Sequence, residues 1–298
     1  GKDWQKEYIV WDMCCGVGNL EVKHSNPRNI YMSTLDAEDV DVMKATKTCV
    51  AAQRFQYDYL NDDITDDGKI DFSLTNKVPD GLRKAIADGK KILVLINPPY
   101  AEATNRGFLG EDITGEYNKK TGVAKTKLSE YMFEYGKASN ELFIQFLARI
   151  SIEIPTATVA IFSTMKYVNA ASCEKFRKNW NAKYLGGFVV SNKAFDGMIG
   201  KFPIGFLIWD TNQKSASKTP FSEIVVDVLD KNSKPIGEKT FYNFPSDKYL
   251  NVWFKRPKAN KQLVLPIKNT VSPSTAKSNV NTWSDNALSL IHISEPTR

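Results

Sequence analysis

Histidine is almost absent from this sequence, because the 298 residues include only His24 and His292. Serine–histidine and cysteine–histidine catalysis need an imidazole base, and histidine is the commonest metal ligand in proteins. The sequence therefore argues against both catalytic classes and against a histidine-rich metal centre, and we expect no bound metal. It also contains neither an HxE nor a PCxxC element, which excludes a zinc deaminase.

Cysteines and long apolar runs are scarce as well. The four cysteines stand at positions 14, 15, 49 and 173 and form neither a CxxC pair nor a disulfide framework. We therefore predict reduced thiols and a cytoplasmic location. No segment reaches the roughly 18 apolar residues of a membrane span, and no signal peptide precedes the first predicted strand, so we expect no membrane partner.

The charge balance is mildly basic. Lys and Arg number 40 against 34 Asp and Glu, which gives a net charge of +6 and a pI near 8.9. This balance is compatible with a nucleic-acid partner but does not require one. The length suits one large α/β domain with an appended segment, or two modest domains.

Short apolar runs alternate with helical patterns, which predicts βα units around a parallel sheet. The predicted strands cover 8–12, 29–35, 54–60, 91–96 and 156–164, and the predicted helices cover 36–53, 80–89, 139–154 and 173–180. Asp36 and the pair Ser139/Asn140 are the predicted helix N-caps. Residues 185–195 and 203–210 are typical of a closing antiparallel pair, and 221–244 of a hairpin.

Polar residues stand where four predicted strands end, at Asp12, Asp36, Asp58 and Asn97. The carboxyl ends of parallel strands form one edge of the sheet, and ligands collect there. Singly, Asp36 is equally well explained as a helix cap, and Asp58 as a solvated carboxylate. Together the four residues predict a ligand site at this edge.

The segment DMCCGVGNLE begins at Asp12. Gly16 and Gly18 would let the backbone approach a ligand before a helix begins. Two glycines are fewer than a dinucleotide fingerprint contains, and the lysine of a phosphate loop is missing. An ordinary βα turn would have the same features.

The most specific motif is Asn97-Pro98-Pro99-Tyr100, directly after an apolar strand. The exocyclic amine of a purine is a poor nucleophile because its lone pair is delocalised into the ring. Two acceptors, the Asn97 side-chain oxygen and the Pro98 carbonyl, would draw its two N–H groups toward tetrahedral geometry and free the lone pair. The two prolines fix the local backbone, and Tyr100 offers a ring on which a base can stack. Such a site needs no histidine.

These motifs resemble those of the S-adenosylmethionine-dependent amino methyltransferases, and more closely the gamma-class N6-adenine DNA methyltransferases of restriction–modification systems. DMCCGVGNL resembles their first motif, STLDAEDV the second, YDYL the third and INPPY the catalytic one. NELFIQFLARI resembles the helix that follows, and AFDGMIGKFPIGFLIWD the eighth motif. The cofactor motif precedes the catalytic motif, as in the gamma class, and the resemblance covers about residues 8–210.

The resemblance implies an α/β, Rossmann-like fold with helices on both faces of seven mixed strands, the last a reversed insertion. It also implies S-adenosylmethionine as cofactor and double-stranded DNA from which the target adenine is flipped out. The implied cofactor-binding residues are Asp12, Cys14, Gly16, Gly18, Asp36, Asp58 and Tyr59. The implied catalytic residues are Asn97, Pro98, Pro99 and Tyr100, with Phe195 stacking on the second face of the base.

The resemblance also suggests how the chain is divided. We expect a catalytic domain over 1–245, with an insertion or mobile loop at 101–137, and the start of a C-terminal, target-recognition region at 246–288. Residues 289–298 resemble a translated sequencing adapter. We expect a fragment truncated at both ends, without the upstream cofactor motif or a full recognition domain. A restriction or specificity subunit, or a fused domain, is the expected partner of the full-length protein.

Several alternatives stay open. Glu38 could replace Asp36 at the ribose, and Phe202 could replace Phe195 at the base. The same tetrapeptide occurs in enzymes that methylate a glutamine side chain of release factors or bases of structured RNA. A non-catalytic nucleic-acid-binding subunit could also have kept the fold.

Overall fold

The computed structural model describes residues 4–24, 27–100, 125–180, 182–195, 202–212, 221–244 and 253. The chain divides into two compact units, Gly1–Tyr249 and Leu250–Arg298, and every element below belongs to the first. The helices are α1 (Trp4–Glu7), α2 (Ala37–Ala45), α3 (Asp80–Ala87), α4 (Leu142–Glu153), α5 (Lys166–Asn169) and α6 (Glu174–Asn179). Short 3-10 helices cover Pro27–Asn29, Leu128–Tyr131, Phe133–Asn140, Ala171–Cys173 and Asn192–Ala194.

The strands of the described residues form one sheet. They are β1 (Ile9–Asp12), β2 (Ile30–Thr34), β3 (Gln53–Gln56), β4 (Ile92–Ile96), β5 (Thr158–Thr164), β6 (Lys183–Ser191), β7 (Pro203–Asp210), β8 (Glu223–Leu229) and β9 (Pro235–Tyr242). Their order is β3-β2-β1-β4-β5-β7-β6-β8-β9. Strands β1 to β5 pair in parallel, whereas β7 is antiparallel to both β5 and β6. The expected Rossmann-like sheet with a reversed last strand is therefore confirmed.

The sheet has nine described strands instead of the expected seven. The predicted hairpin at 221–244 is confirmed as β8 and β9, which pair antiparallel. Strand β8 also pairs in parallel with β6, where Phe188 faces Asp227 and Val190 faces Leu229. The hairpin thus extends the main sheet beyond the seven-stranded unit.

Alternating side chains build a core on each face of the sheet. Trp11 and Val94 join a large cluster that includes the apolar face of α4. Their chain neighbours Val10 and Leu93 point the other way and pack against Met43 of α2. Consecutive side chains of a strand point to opposite faces, so central strands covered on both faces are apolar throughout.

The helix predicted over 36–53 is wrong in its length, because α2 ends at Ala45. Lys47 and Cys49 adopt positive φ angles of 57° and 46°, which a right-handed helix does not contain. The strand predicted over 54–60 is also too long, because β3 ends at Gln56. Beyond it, a turn begins at Asp58.

The predicted cap of α4 is wrong as well. The N-cap position is Glu141, whose side chain makes no capping hydrogen bond. Ser139 and Asn140 belong to the preceding 3-10 helix, in which the Ser139 hydroxyl donates to the Gly136 carbonyl over 2.8 Å. The hydroxyl is therefore used inside that helix.

Part of the predicted insertion at 101–137 is described. Residues 125–137 belong mostly to two 3-10 helices, which bury Leu128 and Met132. Residues 101–124, and all of 246–298 except Trp253, lie outside the described residues, so the boundaries predicted there stay predictions. In the part of the chain that is described, no helix is long and apolar enough to cross a membrane.

The apolar face of α4 gives a first test of this core. Phe143 is fully buried, whereas Ile152 on the same helix is 55% exposed. We expect Phe143→Ala to lower the free energy of unfolding by about 3–5 kcal/mol, because it removes buried surface and leaves a cavity. Ile152→Ala, the matched control, should change it by about 0.5 kcal/mol or less. Urea unfolding measures both, and equal losses would contradict this packing.

Candidate active site

The site begins where the strand order reverses. The chain builds outward from β1 through β2 to β3, and then returns to place β4 on the other side of β1. Trp11 of β1 is in register with Val94 of β4, so Asp12 and Asn97 both lie at the carboxyl ends of adjacent strands. Parallel strands are about 4.8 Å apart, and a crevice at such a switch point is where open α/β sheets bind ligands.

Asp12 is fully buried at the end of β1. Its Oδ1 accepts a hydrogen bond of 2.9 Å from the backbone N–H of Cys14. Its Oδ2 is buried and has no hydrogen-bond partner among the described residues. A buried, unsatisfied carboxylate oxygen is costly, which marks Asp12 as a place for a ligand donor.

The loop after Asp12 differs from the expectation in one respect. Residues 13–24 form successive turns, and no α-helix lies between β1 and β2 in the described chain. Gly18, at φ 85°, packs closely on β2, because a Cβ there would lie 2.6 Å from the Met32 Cε. Gly16, at φ 52°, has open space where its Cβ would be. Of the two glycines, only Gly16 leaves room for a ligand.

Glu21 lies beside Asp12, and sequence reasoning missed it. It is fully buried, and both of its carboxylate oxygens have no hydrogen-bond partner in the described structure. Burial raises the pKa of Asp12 well above its ordinary range, and the nearby Glu21 raises it further. Burial likewise raises the pKa of Glu21. A carboxyl inside DMCCGVGNLE gave no periodic signal that would have distinguished it from a surface residue.

The tetrapeptide directly follows β4. Asn97 is exposed, Pro98 is buried, and the Tyr100 hydroxyl donates to the Asn97 Oδ1 over 2.7 Å. Burial raises the pKa of the Cys14 thiol well above its ordinary value, and the nearby Asp12 raises it further. A hydrogen bond with the Asn97 backbone lowers it. Cys14 thus connects the loop after Asp12 to the tetrapeptide, and its predicted role toward a cofactor stays a prediction.

Asp36 is exposed just beyond β2. It occupies the N-cap position of α2, as predicted, but its side chain makes no capping hydrogen bond. Glu38, the rival acid, is exposed in the first turn of the same helix. The hydrogen bond between the end of β2 and this helix comes from Asp39, whose Oδ2 accepts from the Thr34 hydroxyl over 2.8 Å.

Asp58 begins a turn immediately after β3. Its Oδ1 accepts from the Leu60 N–H over 3.2 Å, and its Oδ2 from the Asn61 amide over 2.8 Å. Each oxygen keeps further acceptor capacity. The ring of Tyr59 lies in the core, stacked on Phe146 with centroids 5.4 Å apart. The Tyr59 ring is therefore used in core packing, and the predicted cofactor contact of Tyr59 stays a prediction.

Phe195 follows β6 and is half-buried. Its ring meets Phe162 of β5 edge to face, with centroids 5.9 Å apart, on the strand next to β4. Phe202 lies at the start of β7, where its N–H donates to the Asn192 Oδ1 over 3.2 Å. Phe195 and Phe202, the two candidates predicted to stack on the target base, thus both lie near the strand ends. The choice of Phe195 stays a prediction.

Among the described residues, no group of three or more His, Cys, Asp or Glu side chains is arranged to hold a metal ion. The groups gathered at this edge are instead acceptors on a rigid backbone. They suit a ligand with several N–H or O–H donors.

No family model matches the chain, and no curated protein matches it either. Solved structures do match. A protein from Vibrio vulnificus described as a modification subunit of a type I restriction enzyme is 12% identical, with a TM-score of 0.44 over 87% of this chain and 49% of that one. The EcoKI M protein is 12% identical, with a TM-score of 0.44 over 75% and 44%. The restriction–modification enzyme MmeI in complex with DNA is 10% identical, with a TM-score of 0.44 over 78% and 34%.

The chain thus spans half or less of the length of these three proteins. Likeness at this level concerns the fold, whereas function depends on the residues at a site.

The buried carboxyl pair predicts a pH dependence of stability. Because folding raises the pKa of Glu21, its contribution to stability is present below the unfolded value near 4.5 and is lost as pH rises through the folded value. We expect Glu21→Gln to raise the urea midpoint relative to the wild type at about pH 8, and the gain to shrink toward about pH 5.

Glu130→Gln, which removes an exposed carboxyl from a 3-10 helix, is the control for the loss of one surface charge. A gain for Glu21→Gln of the same size at both pH values would contradict the assigned direction.

Proposed function

We propose that this chain is the catalytic part of an S-adenosylmethionine-dependent methyltransferase that modifies the N6 amine of a flipped-out adenine in DNA. The observation that carries the proposal is the position of Asn97-Pro98-Pro99-Tyr100. It follows β4 directly across the switch point from the buried, unsatisfied Asp12. The order of the motifs, with the cofactor loop first, supports the adenine-specific DNA class. A restriction–modification context follows from the same resemblance.

The residues at the edge fit the proposed cofactor. The Asp12 Oδ2 offers a buried acceptor for an ammonium group, and Gly16 in the loop after it leaves open space where a Cβ would be. Asp36 presents a carboxylate to ribose hydroxyls, and Asp58 has acceptor capacity for an adenine amine. When bound, S-adenosylmethionine supplies an electrophilic methyl group on a sulfonium.

Asn97 and Pro98 would act on the target amine. The Asn97 Oδ1 and the Pro98 carbonyl accept its two N–H groups and draw the nitrogen toward tetrahedral geometry. Because the lone pair is then free to attack, no strong base is required, and the proton leaves after the nitrogen has become cationic. Positioning and electrostatic stabilisation account for the catalysis.

Tyr100 would change its partner during binding. In the structure its hydroxyl donates to the same Asn97 Oδ1 that the target amine would use. The amine replaces this donor, so the acceptor is satisfied before and after the base enters. The ring of Tyr100 then lies against the base, where base–aromatic stacking contributes about 1–3 kcal/mol.

The first test measures transfer. The purified chain receives labelled S-adenosylmethionine with duplex DNA, structured RNA or a glutamine-bearing release factor, and the products are digested and separated by mass. We expect N6-methyladenine from DNA and a rate about a hundred- to a thousandfold lower for Asn97→Ala, because one preorganised polar contact is lost. Asn232→Ala, in the exposed β8–β9 turn, is the matched control.

Each alternative gives a different result in this test. Label on glutamine or RNA would keep the chemistry and overturn the substrate. Failure to bind S-adenosylmethionine, together with no transfer to any of the three substrates, would favour a non-catalytic nucleic-acid-binding subunit that has kept the fold.

Two substitutions at Tyr100 separate the contribution of ring stacking from that of the hydroxyl hydrogen bond. Tyr100→Phe keeps the ring, so we expect kcat/KM on DNA to stay within about tenfold of the wild type. Tyr100→Ala removes the ring and should lower kcat/KM by about 5- to 150-fold. Steady-state kinetics on one duplex measures both, and a larger loss for the Phe variant would show that the hydroxyl matters more than the ring.

A further inference from the structure

A charged pair lies inside the large core, against the segment that follows β3. Arg149 of α4 is fully buried, and its Nε donates to the Glu153 Oε2 over 2.7 Å. Burying two charges is expensive, and such a pair often adds less to stability than apolar residues of the same volume would. Its contacts therefore need an explanation other than stability.

The remaining contacts of Arg149 all go to the segment after β3. One Nη donates to the carbonyls of Tyr59 and Asp62, the latter over 2.9 Å, and the other donates to the Tyr57 hydroxyl over 2.6 Å. The guanidinium also lies over the Tyr59 ring, 4.3 Å from its centroid. The planar fork of arginine can bind several acceptors in a fixed geometry, and lysine cannot.

These carbonyls bracket the turn that begins at Asp58. The Asp58 carbonyl accepts from the N–H groups of Asn61 and Asp62, over 3.1 and 2.8 Å. The Asp58 backbone N–H donates to the Asp62 Oδ2 over 2.9 Å. By binding the carbonyls of Tyr59 and Asp62, Arg149 thus fixes the direction of the Asp58 carboxylate at the sheet edge.

We propose that Arg149 is a positioning residue for the cofactor, holding the 57–62 turn so that Asp58 meets the adenine amine of S-adenosylmethionine. The inference rests on the proposed function and deepens it. Arg149 lies on α4, the helix that follows the catalytic tetrapeptide, so one side chain joins that helix to the adenine-binding turn. Sequence offered one signal for it, a lone Arg–Glu pair spaced i, i+4 in the apolar run LFIQFLARISIE.

The test measures discrimination between adenine and its oxo counterpart. Affinities for S-adenosylhomocysteine and S-inosylhomocysteine, which differ in the exocyclic group, are measured by calorimetry. For the wild type we expect a preference for adenine of about 10- to 100-fold, since a charged acceptor loses its donor in the inosine compound. In Arg149→Lys the preference should fall below about threefold, because an ammonium cannot hold both carbonyls in the same geometry.

A second buried arginine provides the control. Arg177 of α6 is 1% exposed and donates to the carbonyls of Tyr167 and Ala170, the latter over 2.8 Å. Arg177→Lys should cost stability but keep the adenine preference within about twofold of the wild type, because sites without shared partners act independently. If Arg149→Lys does not fold, Tyr57→Phe removes one of its contacts and should reduce the preference by about threefold.

The outcomes separate the two proposals. A wild type that binds neither compound overturns the proposed function together with this inference. A wild type that binds both equally, or an Arg149→Lys variant that binds both more weakly at an unchanged ratio, overturns the inference alone. In the last case Arg149 would only stabilise the core.

Discussion

The parallel pairing of β1 with β4 is the constraint on which the site depends. It brings together two segments that are more than eighty residues apart in sequence, the loop after Asp12 and the tetrapeptide at Asn97. Neither strand end could form the crevice alone, because under the proposed function each supplies acceptors for a different reactant. The apolar helix α4 packs on one face of these central strands, whereas the reversed strand β7 extends the sheet beyond β5.

Much of this arrangement could be predicted from sequence, for a physical reason. Buried parallel strands are continuously apolar, so the polar residues at which they stop, such as Asp12 and Asn97, are visible as interruptions. Helix ends were harder to predict from sequence, because the end of α2 depends on the left-handed backbone of Lys47 and Cys49. Buried charged residues were the hardest to predict. Glu21 owes its burial to residues distant in sequence, which no local pattern records, and the only local signal for Arg149 is its i, i+4 spacing from Glu153.

The described site contains acceptors and rings but no histidine near the tetrapeptide. Chemistry at a delocalised amine requires that the lone pair be released and the methyl donor be aligned, and both are tasks of geometry. This is why a loop with two prolines, held by buried strands, would suit the proposed reaction. The proposed role of Arg149 follows the same logic, because its contacts hold the turn that carries the Asp58 carboxylate.

The hairpin beyond β6 also determines where the sheet stops. An unpaired outer strand can recruit a strand from another copy, and native proteins oppose this with proline and charge. The outer strand β9 begins at Pro235 and exposes Glu238 and Lys239. At the opposite border, Arg54 of β3 folds back to donate to the carbonyls of Met43 and Thr48. Both borders of the described sheet therefore carry features that oppose edge-to-edge pairing with another copy.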